Sequence, residues 1–499
     1  MKLIGLRVGA HDSNISYYDG ETVRYYKSER RMQSKHHQIN GVFDWRSHAQ
    51  DVWGLDYNEI DEVATSFGSQ YEFERHFGNP KDVEKLVRAV PNFPGPFKTF
   101  WLDHHYTHAL SYTSNIKPDV TIVMDGLGDF ESAWSVFKGD KLIERSNNHV
   151  HGSIGLLMNQ AATYMNIQAG HVVDLAGKLM GLQSYGSLDQ QYYNKLKDFG
   201  VSNSNELFST GLWHQHKGDN LIGRHTALDW IRTVHEKTGF AILEFFQKYC
   251  KSDDVIFYTG GVAQNVLWNT LLKKHFKNLV IEPQSADEGI SIGAVEWLRR
   301  KNKLPRLEYK NFPFSQSDQA PINIPTEETI EKVVRFLADG KIVAWYQGNG
   351  EIGPRALGNR SILMDPRLRD GRQMMNRIKC REHYRPFGAS ILSEFSNHYF
   401  DMPSDNPYML YVGNAKDLNA FPAITHVDGT CRVQTVESNS GPFRTLLEKF
   451  HQLTGCPVLL NTSLNLGGYP IAGCLNNAEE LFTFAPIDVL VVGNKITVK

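Results

Sequence analysis

Two histidines four residues apart, His104 and His108, sit in the stretch LDHHYTHALSYTSNIKPDVTIVMDGLGD, which runs from Leu102 to Asp129. On a helix that spacing puts both imidazoles on one face. A β-branched run, Val120 to Val123, then brings Asp125 to the tip of what reads as a buried strand. Two imidazoles on one helical turn and a carboxylate at a strand end are three ligands of the kind a divalent metal takes. The same residues would also serve as two surface histidines beside an ordinary turn. Further along, LVIEP leads into QSADEGISIGAVEWL and places Asp287 at a loop-to-helix junction. Asp287 is a fourth candidate ligand, or else a carboxylate stabilised by the helix N-terminus.

Other stretches could handle anions. In DVIFYTGGVAQNVLWNTLL a β-branched and aromatic strand runs into Gly260-Gly261 and then a helix, so backbone N–H groups at the helix start suit phosphate or adenine-ribose contacts. The glycines and Lys178 of AGKLMGLQSYG suit a turn held near a ligand. The basic loop SERRMQSKHHQINGVFDW offers Arg30, Lys35 and His36 to a cleft, or to solvent. The last third of the chain carries Arg355, Arg360, Lys379, Arg381, Arg385 and Arg432 among Gly, Pro, Asn and Ser. Guanidinium forks fixed in turns recognise phosphate and carboxylate groups, and this region reads as an anion-handling site.

The elements that must position these residues repeat. KLIGLRVG is followed by SNISYYDGETVRYYKSER, with Asp19-Gly20 at the turn; DVTIVMDGLGD is followed by ESAWSVFKGDKLIERSNN, with Gly139-Asp140 at the turn. Each copy is a buried strand, a polar loop and a two-stranded hairpin. The repetition predicts two related α/β halves, the pattern of the actin/sugar-kinase superfamily, which binds nucleotide between its halves. Ser153 is expected to cap a helix, and Trp213 to Lys248 to be mainly helical. Residues 303 to 325 contain four prolines and no periodicity, as a linker does. Thr326 then caps a helix that ends at Gly340, and KIVAWYQG reads as a strand.

With 499 residues, the chain has room for about two to four domains. A formal net charge of −2 gives no global signal for nucleic acid or membrane. The cysteine count of five, with no CxxC, argues against zinc fingers and a disulfide framework and for a reducing, cytoplasmic setting. The opening MKLIGLRVGAHD reads as a strand rather than a signal peptide, and no apolar run is long enough to span a bilayer.

Several motifs, in order, resemble the NodU/CmcH family of O-carbamoyltransferases, the group of the nodulation-factor, cephalosporin and tobramycin carbamoyltransferases. They are GPRALGNRSILMDPR, K-x-R-E-x-x-R-P-F, THVDGT-x-R-x-QTV and NTS-x-N, with SER-x-x-x-x-KH, GKLMGL-x-SYG and GGVAQN in the first half. The resemblance covers nearly the whole chain. It implies an α/β protein with a duplicated actin-like N-terminal domain, similar to the metal enzyme of tRNA threonylcarbamoyl transfer, and a C-terminal YrdC-like domain. The boundaries expected are 1–310, a linker at 311–325, and 326–499. It implies that carbamoyl phosphate and ATP (with Mg2+) form carbamoyladenylate in the C-terminal domain. The N-terminal domain then passes the carbamoyl group to an acceptor hydroxyl and releases AMP.

Carried over by position, His104, His108, Asp125 and Asp287 would be metal ligands. The metal would be ferrous iron; nitrogen and oxygen ligation also admits manganese or zinc. His11 would be the general base, in a catalytic group with Asp12, Lys35 and His36; a hydrogen-bonded structural histidine is the alternative. Lys178, Gly260, Gly261 and Asn265 would line the nucleotide, and Arg355, Lys379, Arg381, Arg385, Arg432, Ser463 and Asn465 would bind carbamoyl phosphate and ATP. Ala176 and Tyr469 depart from the acidic residues the family often carries there. The acceptor would be a sugar- or antibiotic-type hydroxyl, or a 5-hydroxymethylpyrimidine in DNA; no membrane partner is expected, and a homodimer is compatible. An ATP-dependent kinase would use the same cleft without needing the second domain. A non-catalytic assembly module would need neither the ligand set nor the arginines, and a hydrogenase-maturation protein would need zinc-finger cysteines.

Overall fold

A computed structural model of the chain describes all residues except 10, 41–43, 68–85, 91–94, 147–151, 197–198, 204–224, 308, 310, 317–319 and 322. Its contacts separate into two units: Met1–Ser28 with His36–Lys310, and Glu29–Lys35 with Asn311–Lys499. Among the described residues no helix is long and apolar enough to cross a membrane.

The first unit is built on two sheets with one plan. In the first, β1 (Leu3–Val8), β2 (Asn14–Tyr18) and β3 (Val23–Lys27) form an antiparallel meander. β4 (Glu62–Phe67) pairs parallel with β1 on its other side, and β6 (Lys98–Leu102) pairs parallel with β4. β5 (Val87–Ala89) closes the edge, giving the order β3-β2-β1-β4-β6-β5. The second sheet repeats the meander with β7 (Val120–Met124), β8 (Trp134–Lys138) and β9 (Lys141–Arg145). β10 (Ile256–Thr259) pairs parallel with β7 and β11 (Leu279–Val280) with β10. Meander, then parallel strands beside the first: this is the duplicated actin-like arrangement that the repeated strand-and-hairpin pattern anticipates. β1 and β7 are buried at every position, as strands covered on both faces must be.

Helix Ile290–Lys301 lies across β1 and β2 so closely that a Cβ on Gly5 would stand 2.0 Å from the Ser291 carbonyl oxygen. Only glycine permits that approach. Asn14 locks the contact: its Nδ2 donates to the Asp287 carbonyl at 2.9 Å and its Oδ1 accepts from Ser291 N at 3.1 Å. This brings the start of the helix to the open end of β1. Ser153 caps helix Ile154–Tyr164 as its type predicts, accepting from Leu156 N. Helix His225–Tyr249 carries the helical stretch expected from Trp213; residues 213–224 lie outside the described residues.

The second unit is a nine-stranded mixed sheet, β15-β16-β17-β14-β18-β13-β12-β19-β20. Its strands are β12 (Val343–Tyr346), β13 (Arg360–Met364), β14 (Gly388–Leu392), β15 (Phe400–Asp401), β16 (Val412–Ala415), β17 (Thr430–Val436), β18 (Val458–Ser463), β19 (Val489–Val492) and β20 (Lys495–Val498). Thr326 caps helix Glu327–Ala338 by accepting from Thr329 N. The described part of 311–325 is tied to this unit: Ile352 N donates to the Pro313 carbonyl at 2.8 Å, and Gln316 bridges to Gly350.

The stretch read as a basic surface loop is different. Ser28–Met32 forms a helical turn, and Arg30 is fully buried, its Nη2 donating to the Gly353 carbonyl at 2.7 Å. A polar sequence without apolar periodicity gives no sign that its arginine is used to satisfy buried carbonyls.

Candidate functional site

Helix His104–Ala109 begins where β6 ends, and Asp103 caps it by accepting from Tyr106 N at 2.9 Å. Its one exposed-looking feature in sequence, the histidine pair, is buried. His104 Nε2 lies 3.2 Å from Asp125 Oδ2 and 3.4 Å from Asp287 Oδ1; His108 Nε2 has the same two distances to the same two oxygens. The four atoms alternate nitrogen and oxygen around one point. The edges are those of a coordination sphere with bonds of about 2.1 Å.

The remaining carboxylate oxygens face protein donors. Asp125 Oδ1 accepts from Gly126 N at 2.7 Å and Gly261 N at 3.3 Å, and Asp287 Oδ2 accepts from Arg7 Nη2 at 2.7 Å. His108 Nδ1 is buried with no partner among the described residues. Each carboxylate thus turns one oxygen inward and holds the other, which is how outer hydrogen bonds orient ligands. The set fits a divalent first-row metal; two imidazoles and two carboxylates suit iron, manganese or zinc alike.

Charges around this centre are matched. Burial opposes charging of His104, but Asp287 and Asp125 push its pKa up to about 10. Burial likewise works against ionisation of Asp287, yet Arg7 and then His104 hold it well below the usual carboxylate range. Asp125 is also held low, by His104 and His108 against the effect of burial.

Beside the centre stands a second group. His11 Nδ1 donates to Asp12 Oδ2 at 2.9 Å and lies 3.8 Å from Asp287 Oδ2. His36 Nδ1 donates to the same carboxylate at 3.0 Å, and the buried Lys27 ammonium reaches Asp12 Oδ1 at 2.8 Å and Glu288 Oε1 at 3.0 Å. Against the effect of burial, Lys27, His11 and His36 together hold Asp12 well below its ordinary pKa. Asp12 and His36 both adopt left-handed backbone, with φ of 60° and 57°. Side chains other than glycine rarely do so, and such positions cluster where a site holds a group in place. His36 Nε2 faces Asp174 Oδ1 at 3.5 Å; although burial opposes it, Asp12 and Asp174 raise His36 to about 9. Lys35, the residue before His36, falls within the second unit.

The glycine junction adjoins the centre. Gly260 has φ 96°, and a Cβ there would stand 2.1 Å from the Met124 carbonyl oxygen, so the turn brings Gly261 N to Asp125. Asn265 caps helix Val266–His275 by accepting from Leu267 N and Trp268 N, both at 3.2 Å, while its Nδ2 meets His235 Nε2 at 2.9 Å. Lys178 donates to the Gln168 carbonyl. Ala176 N donates to Asn159 Oδ1 at 3.3 Å, and Tyr469 is exposed.

In the second unit, the sheet registers gather the anion-handling candidates at one end. Arg432 pairs with Gly388, Gly388 with Asn461, and Ser463 ends the antiparallel β18. Lys379, at the end of helix Gly371–Lys379, donates to the carbonyls of Ser463 (2.7 Å) and Asn465 (2.8 Å) and to Asn465 Oδ1 (2.6 Å). Arg381 Nη2 donates to the Pro386 carbonyl at 3.0 Å, and its guanidinium lies 3.9 Å over the Phe387 ring. Burial and then Arg385 lower Arg381 to about 9; burial with Arg355, Arg381 and Arg385 holds Arg432 well below its usual range. Lys379 is pushed well down by burial and by Arg381 and Arg385. The loop carrying Arg355 is shaped by Glu351, whose Oε1 accepts from the N–H groups of Leu357, Asn359 and Arg360 at 2.8, 2.9 and 3.1 Å. Arg360 is fully buried against Tyr346 and donates to the Gln347 and Gly348 carbonyls, which is a structural task.

Reading the sequence misses Arg7, Lys27, Glu288, Glu351, His171 and Asp174. A lone charge ending a strand gives no periodic signal. Arg7 and Lys27 each meet partners more than 250 residues away, as the separations of 280 and 261 show. Only Glu288, next to Asp287, could have been taken along with it.

Known proteins resemble this chain in sequence. The family profile described as "Carbamoyltransferase C-terminus" matches residues 334–499. The chain is 34% identical over 553 residues to "Nodulation protein U" of Bradyrhizobium diazoefficiens, covering 94% of this chain and 92% of that protein. It is 29% identical over 538 residues to "Nodulation protein NolNO" of Sinorhizobium fredii, covering 96% and 78%. It is 35% identical over 251 residues to "3'-hydroxymethylcephem-O-carbamoyltransferase" of Amycolatopsis lactamdurans, covering 48% of each.

Proposed function

The chain belongs to the carbamoyltransferase family of nodulation protein U and is an enzyme of that kind; from that premise we propose that it carries out ATP-dependent O-carbamoylation in two stages, one in each unit. In the second unit carbamoyl phosphate, ATP and water give carbamoyladenylate, phosphate and pyrophosphate. In the first unit an alcohol takes the carbamoyl group and AMP leaves. One relative's name specifies a hydroxymethyl group, and an alcohol is the acceptor class taken here.

The observation that carries this reading is His11 beside the paired-carboxylate centre, 3.8 Å from Asp287. Burial opposes charging of His11, but its hydrogen bond to Asp12 raises its pKa; with Nδ1 donating to Asp12, the imidazole in its neutral form presents Nε2 as a proton acceptor. Lys27 and His36 keep Asp12 ionised and fixed, so Asp12 stabilises the imidazolium that forms as the alcohol loses its proton. A divalent metal, ferrous iron by family resemblance, held by His104, His108, Asp125 and Asp287 would act as a Lewis acid toward the phosphate of the leaving AMP. The Gly260-Gly261 turn would line the nucleotide with backbone that carries no side chain, and Lys178 stands on helix Leu175–Leu182 as a further cation for it. In the second unit Arg355, Arg381, Arg385 and Arg432 crowd together, and an anion such as carbamoyl phosphate or a nucleotide phosphate relieves their repulsion. Lys379 holds the Ser463–Asn465 turn beneath them.

The test is a rescue experiment. Arg385→Ala should lose pyrophosphate release, because a charge-assisted hydrogen bond worth about 1.5–3 kcal/mol is removed from a bound phosphate. Pre-formed carbamoyladenylate should restore carbamoylation in that variant and should not do so in His108→Ala. Rescue of both, or of neither, would show that the two stages are not divided as proposed.

A further inference from the structure

We propose that His171 touches the acceptor alcohol, donating a hydrogen bond from Nε2 to an atom beside the hydroxyl, so that the favoured acceptor carries a hydrogen-bond-accepting atom within two or three bonds of its hydroxyl-bearing carbon. This rests on the reading of His11 as the base for that hydroxyl.

His171 stands at the start of the turn Val172–Asp174, in the loop between helices Ile154–Tyr164 and Leu175–Leu182. Its ring centroid lies 5.8 Å from that of His11 and 4.7 Å from that of His36. The three imidazoles differ in what holds them. His11 and His36 both direct Nδ1 at Asp12. His171 Nδ1 instead accepts a hydrogen bond from Val173 N at 3.4 Å. An imidazole that accepts at Nδ1 carries its proton at Nε2 when neutral. Burial and the neighbouring His36 and His11 lower the pKa of His171, which favours that neutral form. His11 therefore presents an acceptor nitrogen and His171 a donor, on rings close enough to grip one small group.

Capping alone does not account for the residue. Ser, Thr, Asp and Asn are the side chains that turn and helix starts select, and any of them would accept from Val173 N. The rim of the loop supports a ligand contact as well: Val172, the residue after His171, is 55% exposed, an aliphatic side chain open to solvent. Asp174, in the same turn, faces His36 and as a carboxylate can only accept, whereas His171 can donate from Nε2. The recognised acceptor pairs an alcohol with a carbonyl oxygen, ring nitrogen or ether oxygen, on a body with an apolar face.

The experiment uses the full-length enzyme with saturating carbamoyl phosphate and ATP and two matched probes, pyridin-2-ylmethanol and benzyl alcohol. They differ in one ring nitrogen, two bonds from the hydroxyl-bearing carbon. The wild-type enzyme should carbamoylate the pyridine alcohol about tenfold more efficiently, the worth of one hydrogen bond at a half-open site. His171→Phe should erase that preference through KM, with acceptor-independent pyrophosphate release unchanged. His171→Gln, which keeps an N–H donor, should recover part of it. Equal use of the two probes by the wild type, use of neither, or a preference that survives in His171→Phe, overturns the inference. His11→Ala separates the two readings: if it still transfers at the wild-type rate, the base assignment fails; if it is inactive while His171→Phe keeps the preference, only the present inference fails.

Discussion

The two units treat buried charge in opposite ways. In the first, every buried acid of the site has a base against it: Asp287 has Arg7 and the histidine pair, and Asp12 has Lys27, His11 and His36. Asp287 and Asp12 are held low and His104 and His36 are held high. In the second, the bases face each other, and Lys379, Arg381 and Arg432 are all pushed down. A matched set is organised before any ligand arrives, which suits a step needing fixed geometry. A crowded set of cations is relieved by an anion, so its stability and its ligand are tied together.

The largest effect should come from breaking the matched set at its shared ligand. Asp287→Asn keeps an oxygen for Arg7 and removes a charge from the centre. It should lose bound metal by elemental analysis and reduce carbamoylation by about a thousandfold, the scale on which lost electrostatic stabilisation acts. Pyrophosphate release should persist. Full metal content in the variant would remove Asp287 from the ligand set.

The unmatched set should respond in the opposite sense. Arg432→Met relieves repulsion, so the ligand-free protein should melt a few degrees higher, the shift that about 1 kcal/mol produces in a domain of this size. The same variant should lose most of the thermal stabilisation given by pyrophosphate and most of its adenylation. A lower ligand-free midpoint would mean that Arg432 is balanced after all.

The smallest effect concerns pH. The folded-state pKa of His36, about 9, lies above its unfolded value near 6.5. The folded state then binds the extra proton, so this contribution to stability is full below pH 6.5 and disappears as pH rises toward 9. Against His36→Gln, the wild-type advantage in urea denaturation should be greatest near pH 6 and should close by pH 9. A gap that does not change with pH would mean that His36 is not charged by Asp12 and Asp174.

Much of the architecture is legible in the chain itself. The repeated strand-and-hairpin pattern corresponds to two sheets with one strand order, because burial on both faces writes an apolar run and turns write Gly and Asp. His104 and His108 announce themselves by helical spacing, and Asp125 by its place at a strand end. Arg360 illustrates the limit: it shares the basic, glycine-rich setting of Arg355, yet it is buried and satisfied by carbonyls. Arg30, offered by the sequence to a cleft or to solvent, is fully buried.

What the sequence alone determined is therefore the set of elements and the chemical types at their ends, since both follow from contacts within a few residues. Which charges meet was decided by the tertiary structure. Arg7 finds Asp287 and Lys27 finds Glu288 only because helix Ile290–Lys301 is laid against β1 and β2 by Gly5 and Asn14. Charge pairing depends on distance and burial, and neither quantity exists until segments far apart in the chain have packed.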